Sequence, residues 1–390
     1  MNSRSRILCV LNHKEPDHVP LDLAGTHVSG IHINAYRNLC THLGIKAEDI
    51  EFSDTIQQIV IPNAEVLEKF GVDTRGIFPL CSHNWNVQGK IAGAYREYHD
   101  EWGMTHHFPV DGGYYWSLAA SPLAQNDLTS QEISKYPWPA GDDPRRFAGL
   151  MERTLQFRKE GKTVLLKSLC AGLFEMGQRI RGMENFLMDL IADKKTAEIL
   201  LDKILELKIS YWKKAAAELG EYADIAVESD DYGTQESQLI SYETFKEMIF
   251  PRLKCLVSCI KNELNKYKKN GEKSYVFFHS CGNIRPFIRD FIDIGIDIIN
   301  PVHINAAGMD PVSLKKDFGK DTVFWGGGVE TQNVLPRGTE NDVREDVKKN
   351  LEVLMPGGGY VFNTVHNIQA DVPPQNIVAM YETLMRYGRY

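Results

Sequence analysis

The sequence predicts a (β/α)₈ barrel, and three observations support that fold class. Eight short apolar runs rich in β-branched residues alternate with stretches of helical periodicity. Hydrophobic residues make up 43% of the 390 residues, which is enough for a large core. No Gly-x-Gly-x-x-Gly follows the first strand, which disfavours the alternative of an open, doubly wound sheet. We therefore expect a single barrel domain spanning residues 1–390.

Each element follows from its local pattern. Strands are predicted, in order, at residues 19–23, 74–78, 163–168, 224–228, 274–279, 297–302, 322–326 and 359–364. Helices are predicted at residues 31–43, 64–70, 183–190, 196–219, 242–268, 284–294, 339–354 and 374–386. Residues 95–138 interrupt the succession of strands and helices. Their sequence is rich in aromatic residues and alternates between apolar and polar positions, which predicts a β-hairpin insertion that caps the barrel mouth.

Composition excludes several classes of function. A net charge of −8 argues against nucleic acid as the main partner. No stretch reaches about 18 uninterrupted apolar residues, so we expect no membrane span, and the N-terminus has too short an apolar run for a signal peptide. Seven cysteines without framework spacing fit a reducing cytoplasm. We expect a cytoplasmic protein that binds a small molecule, and a homodimer is a further possibility.

The most informative segment is 274–283, SYVFFHSCGN, which predicts a buried strand carrying His279 and Cys281 at its end. Residues i and i+2 of a strand point the same way, so the imidazole and the thiolate can meet one ion. Zinc accepts this mixture of nitrogen and sulfur ligands. His366, at the end of the last strand, is the best third ligand, with His303 and Glu228 as alternatives. A hydrogen-bonding role remains open for each of these three.

An acidic run follows the strand at 224–228 and supplies the candidate catalytic residues Glu228, Asp230 and Asp231. A carboxyl group here can act as a general acid, orient a zinc ligand or bind substrate. The alternative is helix capping and solvation.

Further polar residues lie at or near the ends of predicted strands, where barrel enzymes place their chemistry. Aromatic residues of the insertion can supply an apolar pocket wall, or can simply form the core of a lid. The resulting substrate-binding candidates are Asp22, Tyr114, Trp116, Tyr232, His303 and Asn363.

Four segments resemble the uroporphyrinogen decarboxylase superfamily: 279–283 HSCGN, 300–302 NPV, 324–332 FWGGGVETQ and 365–369 VHNIQ. Within this superfamily, the sequence more closely resembles the branch of corrinoid-linked methyltransferases, and the resemblance covers nearly the whole chain. It implies a (β/α)₈ barrel, in agreement with the strand count. It also implies zinc and a corrinoid as cofactors. A separate protein must carry the corrinoid, because this chain lacks the usual corrinoid-binding signature Asp-x-His-x-x-Gly.

Two departures from the family pattern bear on the reaction. Decarboxylases carry an arginine-rich N-terminal stretch that clamps substrate carboxylates, whereas residues 21–30, LDLAGTHVSG, contain no arginine. The segment 52–54, FSD, nevertheless resembles the catalytic aspartate segment of decarboxylases, which makes Asp54 another substrate-binding candidate. Methyltransferases that charge a thiol coenzyme use a later cysteine as a zinc ligand; this chain has none after Cys281 and offers His366 in that place.

The resemblance and the residues together predict a zinc-dependent methyltransferase. It would move a methyl group from a small methoxylated donor, such as an aryl ether, to the Co(I) corrinoid of a partner protein. Zinc, or a proton from a carboxyl group of the run from Glu228 to Asp231, would stabilise the leaving oxygen. The alternatives are a cofactor-free decarboxylase centred on Asp54 and a non-catalytic binding barrel.

Overall fold

The computed structural model describes residues 1–82 and 89–390, and a curved parallel sheet forms its centre. Neighbouring strands of this sheet pair in parallel throughout. Helices separate most of the strands along the chain, which confirms the predicted α/β barrel-like fold. In sheet order the seven strands are Thr74–Ile77, Thr163–Lys167, Ile225–Ser229, Tyr275–His279, Ile298–Asn300, Val323–Trp325 and Tyr360–Val361.

The predicted first strand, residues 19–23, lies between the two edges of this sheet. The amide of Asp22 donates to the carbonyl of Phe362 at 3.0 Å, and the amide of Asp73 donates to the carbonyl of Leu21 at 2.9 Å. Within residues 19–23, Leu21 alone forms a β-bridge, with Phe362, so the segment is shorter than a full strand. These hydrogen bonds connect the edges and close the barrel.

Two apolar layers hold the barrel together. Alternate side chains of the strands, such as Val227 and Phe277, form an inner cluster, and the others pack against the surrounding helices. The helix Ser3–Leu11 adds Ile7 and Val10 to the inner cluster, so it plugs the N-terminal end of the barrel. The sequence did not predict this helix because its apolar run is short and has no clear helical period.

The helices surround the sheet. Those at Leu150–Lys159, Leu173–Arg181 and Pro311–Phe318 were not predicted. No helix in residues 1–82 or 89–390 is long and apolar enough to cross a membrane. The α-helices are Ser3–Leu11, Ile33–Leu43, Ala64–Lys69, Ser130–Lys135, Leu150–Lys159, Leu173–Arg181, Met183–Ala192, Lys194–Leu219, Tyr242–Thr244, Phe250–Asn265, Ile288–Asp293, Pro311–Phe318, Val334–Arg337, Glu340–Leu354 and Pro374–Tyr387. Pro144–Phe147 and Arg285–Phe287 are 3₁₀ turns, and Phe245–Ile249 is a π-helical turn.

The insertion contains the predicted hairpin, Tyr95–His99 with Thr105–Pro109, and extends it on both sides. The outer strands Lys90–Ala92 and Ser117–Ala120 complete a four-stranded antiparallel sheet. These outer strands are exposed, so they lack the alternation of apolar and polar residues that marks a strand in a sequence.

A second small sheet was not predicted. Its three antiparallel strands are Ile31–His32, Ile59–Ile61 and Glu51–Asp54, with Ile59–Ile61 in the centre. Strands of two to four residues are too short to show a period in the sequence.

Candidate functional site

A cavity of about 470 Å³ lies at the C-terminal ends of the barrel strands. Lys167, Ser229 and His279 line it from three successive strand ends. Residues 51–57 and the insertion residues Tyr98 and Met104 form further parts of its wall. The two small sheets therefore contribute to the cavity, as expected for an insertion near the barrel mouth.

His279 is held in one orientation by its neighbours. Its Nδ1 lies 2.5 Å from Oδ1 of Asn300, whose Nδ2 donates to the carbonyl of Trp325 at 2.8 Å. Because the amide group of Asn300 is committed in this way, His279 carries its proton on Nδ1 and leaves the lone pair of Nε2 free. That Nε2 lies 3.4 Å from Sγ of Cys281. A hydrogen bond on the outer ring nitrogen is typical of histidines that bind metals.

The ligand atoms of His279, Cys281 and His366 all lie within 4.8 Å of one another. Burial lowers the pKa of His366, which keeps the imidazole in the neutral form that binds metals. Burial raises the pKa of Cys281, with a smaller contribution from the nearby Asp231; a bound cation would oppose both effects and favour the thiolate. Two nitrogens and one sulfur, with room for a substrate atom, fit zinc in a catalytic setting.

The two alternative third ligands, His303 and Glu228, lie outside this group. Nδ1 of His303 accepts a hydrogen bond of 2.9 Å from the amide of Gly282, so the ring supports the turn after Cys281. Glu228 points away from the barrel axis and forms a fully buried ion pair of 2.8 Å with Lys208. Among the described residues the geometry thus favours His366.

The acidic run divides into three different environments. Trp212 also donates to Glu228 at 2.6 Å, so this carboxylate is enclosed in the helix layer. Asp230 accepts hydrogen bonds from the backbone amides of Phe174 and Glu175, at 2.9 and 2.8 Å. It therefore anchors the start of the helix Leu173–Arg181. Burial raises the pKa of Asp230 to about 7.

Asp231 is the member of the run that lines the cavity. Its Oδ1 accepts a hydrogen bond of 2.8 Å from the amide of Cys281 and lies 3.8 Å from Nε2 of His279. The carboxylate therefore contacts both the candidate metal group and the cavity. Of the three predicted catalytic residues, the structure brings Asp231 alone to the site.

The predicted substrate-binding residues are similarly divided. Asp54 lines the cavity, and its carboxylate accepts hydrogen bonds from Gln57 at 2.9 and 3.2 Å. Asp22 is buried, where Trp325 donates to it at 2.9 Å and burial raises its pKa. Asn363 donates to the carbonyl of Asp22 at 3.1 Å. Neither Asp22 nor Asn363 lines the cavity, so both support the wall from behind.

The aromatic candidates do not line the cavity either. Tyr232 is fully buried among phenylalanines, and its hydroxyl donates to Asp230 at 2.7 Å. Tyr114 is about half exposed, and its carbonyl is bound by His32 at 2.6 Å. Trp116 packs on Tyr98, with ring centroids 4.6 Å apart, within the insertion. Tyr232 and Trp116 thus pack among other aromatic rings, and a role in substrate binding stays a prediction for all three residues.

Several cavity residues were not among the predicted site residues. Lys167 lies at the end of a predicted strand, and this position was the feature of the sequence that could have identified it as a site residue. Glu175 and Arg179 lie on a helix that the sequence did not predict. His27 has a buried Nδ1 without a hydrogen-bond partner, and burial, followed by the nearby Lys167, holds its pKa well below the usual value.

Comparisons with known proteins bear on the fold and the family. A family model described as uroporphyrinogen decarboxylase (URO-D) matches residues 119–387, more than half of the chain. A solved "methyltransferase from Methanosarcina mazei" is similar in structure, with a TM-score of 0.64 and 16% identity over 99% of each chain. A β-glucosidase from Pyrococcus furiosus has a TM-score of only 0.44, at 11% identity, over 96% of this chain and 94% of that chain. No curated protein sequence matches this chain.

Proposed function

This chain belongs to the uroporphyrinogen decarboxylase family, and we propose that within the family it is a zinc-dependent methyltransferase. The methyl donor is a small methoxylated molecule, and the acceptor is the Co(I) corrinoid of a partner protein. One observation carries the proposal: His279, Cys281 and His366 converge at the C-terminal end of the barrel. Catalytic residues of barrel enzymes gather at that end.

The metal centre would use these three side chains as ligands. When bound, zinc supplies a Lewis acid that polarises the oxygen of the methyl donor. Asn300 orients the imidazole of His279 through its 2.5 Å hydrogen bond. The carboxylate of Asp231 holds the backbone at Cys281, which keeps the thiolate facing the same point as the two imidazoles.

Asp231 is the residue that handles the proton. In the transfer the bond between the methyl carbon and oxygen breaks, the oxygen keeps the bonding pair, and the new bond uses the electron pair of Co(I) on the partner. The departing oxygen needs a proton, and Asp231 is the predicted acid that lines the cavity. Glu228 and Asp230 are committed to Lys208 and to a helix N-terminus, so we assign them to the support of the fold.

Two further features support the wider proposal. The similarly folded Methanosarcina mazei protein is named a methyltransferase, although its 16% identity compares folds only. All seven cysteines are free thiols, which suits an enzyme of the reducing cytoplasm. The corrinoid comes with a partner because the sequence has no Asp-x-His-x-x-Gly signature.

Metal analysis followed by an activity assay tests the proposal. The purified protein should contain one zinc per chain and should demethylate candidate methoxyarenes when a Co(I) corrinoid protein is present. Formation of the methylated corrinoid gives a spectroscopic readout, and omission of the partner is the control. A protein that binds no stoichiometric zinc would remove the metal from this proposal, and a zinc-loaded protein that transfers no methyl group would remove the reaction.

A decarboxylase is the second candidate function, and the position of Asp54 favours it. This carboxylate lies in the same cavity, in a segment that resembles the catalytic aspartate segment of decarboxylases. Loss of carbon dioxide from uroporphyrinogen, abolished in Asp54→Asn and independent of zinc, would establish this function in place of methyl transfer. We favour the methyltransferase because residues 21–30 lack arginines to bind a polycarboxylate.

A further inference from the structure

Lys167 ends the strand Thr163–Lys167 and lines the cavity. Leu165, two residues earlier, belongs to the inner cluster of the barrel, whereas Val164 and Leu166 pack towards the helices. Alternation along the strand therefore directs Lys167 to the inner side, where the cavity begins. Its carbonyl accepts a hydrogen bond from the hydroxyl of Tyr211, which fixes the end of the strand.

The ammonium group of Lys167 has no partner, in contrast to the other cavity cations of the described chain. Arg146 binds Glu101 through two hydrogen bonds of 2.9 and 2.7 Å. Arg179 forms an ion pair with Glu175, one helical turn away. Within residues 1–82 and 89–390, no hydrogen bond or ion pair reaches Nζ of Lys167.

The carboxylates that line the cavity are occupied by donors of their own. Gln57 donates to Asp54, and Asp100 binds His106 at 2.9 Å together with two backbone amides. A partly buried cation is stabilised by an oxyanion that makes charge-assisted hydrogen bonds to it. The lining contains more carboxylates than cations, but each carboxylate already accepts a hydrogen bond, and Lys167 is the lining cation that has no partner among the described residues.

His27 provides a second, independent observation at the same place. It lines the cavity, and its buried Nδ1 has no hydrogen-bond partner among the described residues. Buried polar atoms of native proteins are almost always paired, so the ring of His27 keeps hydrogen-bonding capacity that the described residues do not use. Nδ1 itself is enclosed, and the other ring nitrogen, Nε2, can carry the proton and donate a hydrogen bond to an oxyanion in the cavity.

We propose that the cavity binds a substrate bearing an oxyanion, a carboxylate or a phosphate, through Lys167 with assistance from His27. This inference rests on the proposed function for the role of the bound molecule, and it adds the chemical class of the methyl donor. His279 and His366 line the same cavity, so a donor anchored by its anion at Lys167 has its methylated oxygen free to face the metal ligands. A volume of about 470 Å³ accommodates a molecule of the size of a methoxybenzoate.

Calorimetric titration of the zinc-loaded, full-length protein tests this inference without methyl transfer. The probes are benzoate and phenyl phosphate as the two anions, and benzamide as a neutral molecule of the same shape as benzoate. At least one anion should bind about 10-fold or more tightly than benzamide, because hydrogen bonds to charged groups are worth about that much. The stronger of the two anions distinguishes a carboxylate from a phosphate.

Two substitutions assign the effect to the ammonium group. Lys167→Met keeps the length of the side chain and should remove the preference for the anion, whereas Lys167→Arg should retain most of it. Lys159→Met, which removes an exposed lysine outside the cavity, is the matched control and should behave as wild type. Zinc content, measured on each variant, should stay at the wild-type value.

The inference is overturned if neither anion binds, if benzamide binds as tightly as the anions, or if Lys167→Met keeps the preference. Each result is separate from the fate of the proposed function. Anion binding that depends on Lys167, in a protein that transfers no methyl group, would retain this subsite and reject the reaction. Methyl transfer from neutral donors, without anion binding, would do the reverse.

Discussion

The two ends of the barrel use charged residues in opposite ways. At the N-terminal end, three aspartates each precede a strand: Asp73, Asp224 and Asp297. Each carboxylate accepts a hydrogen bond from a backbone amide of a neighbouring segment, with N···O distances of 2.8–3.0 Å. The same carboxylates form ion pairs, such as that of Asp73 with Arg6 from the plugging helix at 2.5 Å. At the C-terminal end, Lys167 and two of the candidate metal ligands, His279 and His366, line a cavity instead.

The difference separates stability from chemistry. Charges that are matched within the chain close one end of the barrel and leave nothing for a ligand to bind. Groups left without a partner at the other end would lower the stability of the free protein and would create affinity for the proposed metal and substrate. Substitutions at the two ends should therefore affect different measurements, and the following four predictions test this separation.

The largest effect is expected for Cys281→Ser. A hydroxyl is a much poorer zinc ligand than a thiolate, so zinc occupancy and methyl transfer should both be lost while the protein remains folded. Metal analysis, methyl transfer and thermal unfolding are measured on the same sample. The matched control is Cys170→Ser, which changes a thiol that lines the cavity but lies outside the metal group, and this variant should keep its zinc. Wild-type zinc in Cys281→Ser, or a collapse in stability without metal loss, would contradict the assignment.

At the opposite end, Asp73→Asn should lower the free energy of unfolding by about 3 kcal/mol, because it leaves the buried guanidinium of Arg6 with one anion fewer. Zinc stoichiometry of the folded protein should not change. Denaturant unfolding gives the first quantity and metal analysis the second. An unchanged unfolding free energy would show that the plug contributes little, and lost zinc would show that the two ends are coupled.

His366→Ala should lower zinc affinity by about 10-fold or more, since even losses around the ligands cost 10–100-fold. His366→Cys should restore binding, because a thiolate is also a competent ligand. Competition with a chelator measures the affinity of both variants. Retained affinity in His366→Ala, together with lost turnover, would assign the residue to substrate and make His303 the next ligand to test.

The smallest effect on methyl transfer is expected for Glu228 of the acidic run. Glu228→Gln should lower the free energy of unfolding by about 3 kcal/mol or more, because it leaves the fully buried ammonium of Lys208 without its anion and with the carbonyls of Cys170 and Ala171 as partners. Methyl transfer per folded molecule should be unchanged. Asp231→Asn is the matched comparison and should lower methyl transfer while barely changing stability, since its side chain is 40% exposed. The opposite pattern would return the catalytic role to Glu228.

The sequence by itself determined the fold class and one pair of candidate ligands. Each barrel strand carries its own apolar, β-branched run, and the eight predicted strands appear at their places in the structure, with 19–23 reduced to a bridge. His279 and Cys281 are separated by one residue at a strand end, so the local two-residue period sufficed to put them on one side. Information of this kind resides in neighbouring residues and needs no knowledge of the rest of the chain.

Only the tertiary structure decided which distant residues meet there. His366 joins the pair because the chain that follows the last strand lies at the same end of the barrel, and Glu228 leaves it because alternation turns that side chain towards Lys208. Glu228 and Asp231 are both acidic residues of one short run. The direction of each side chain, however, depends on where the strand ends and on what packs beside it. Long-range contacts of this kind are set by the packing of whole elements, which no local pattern encodes.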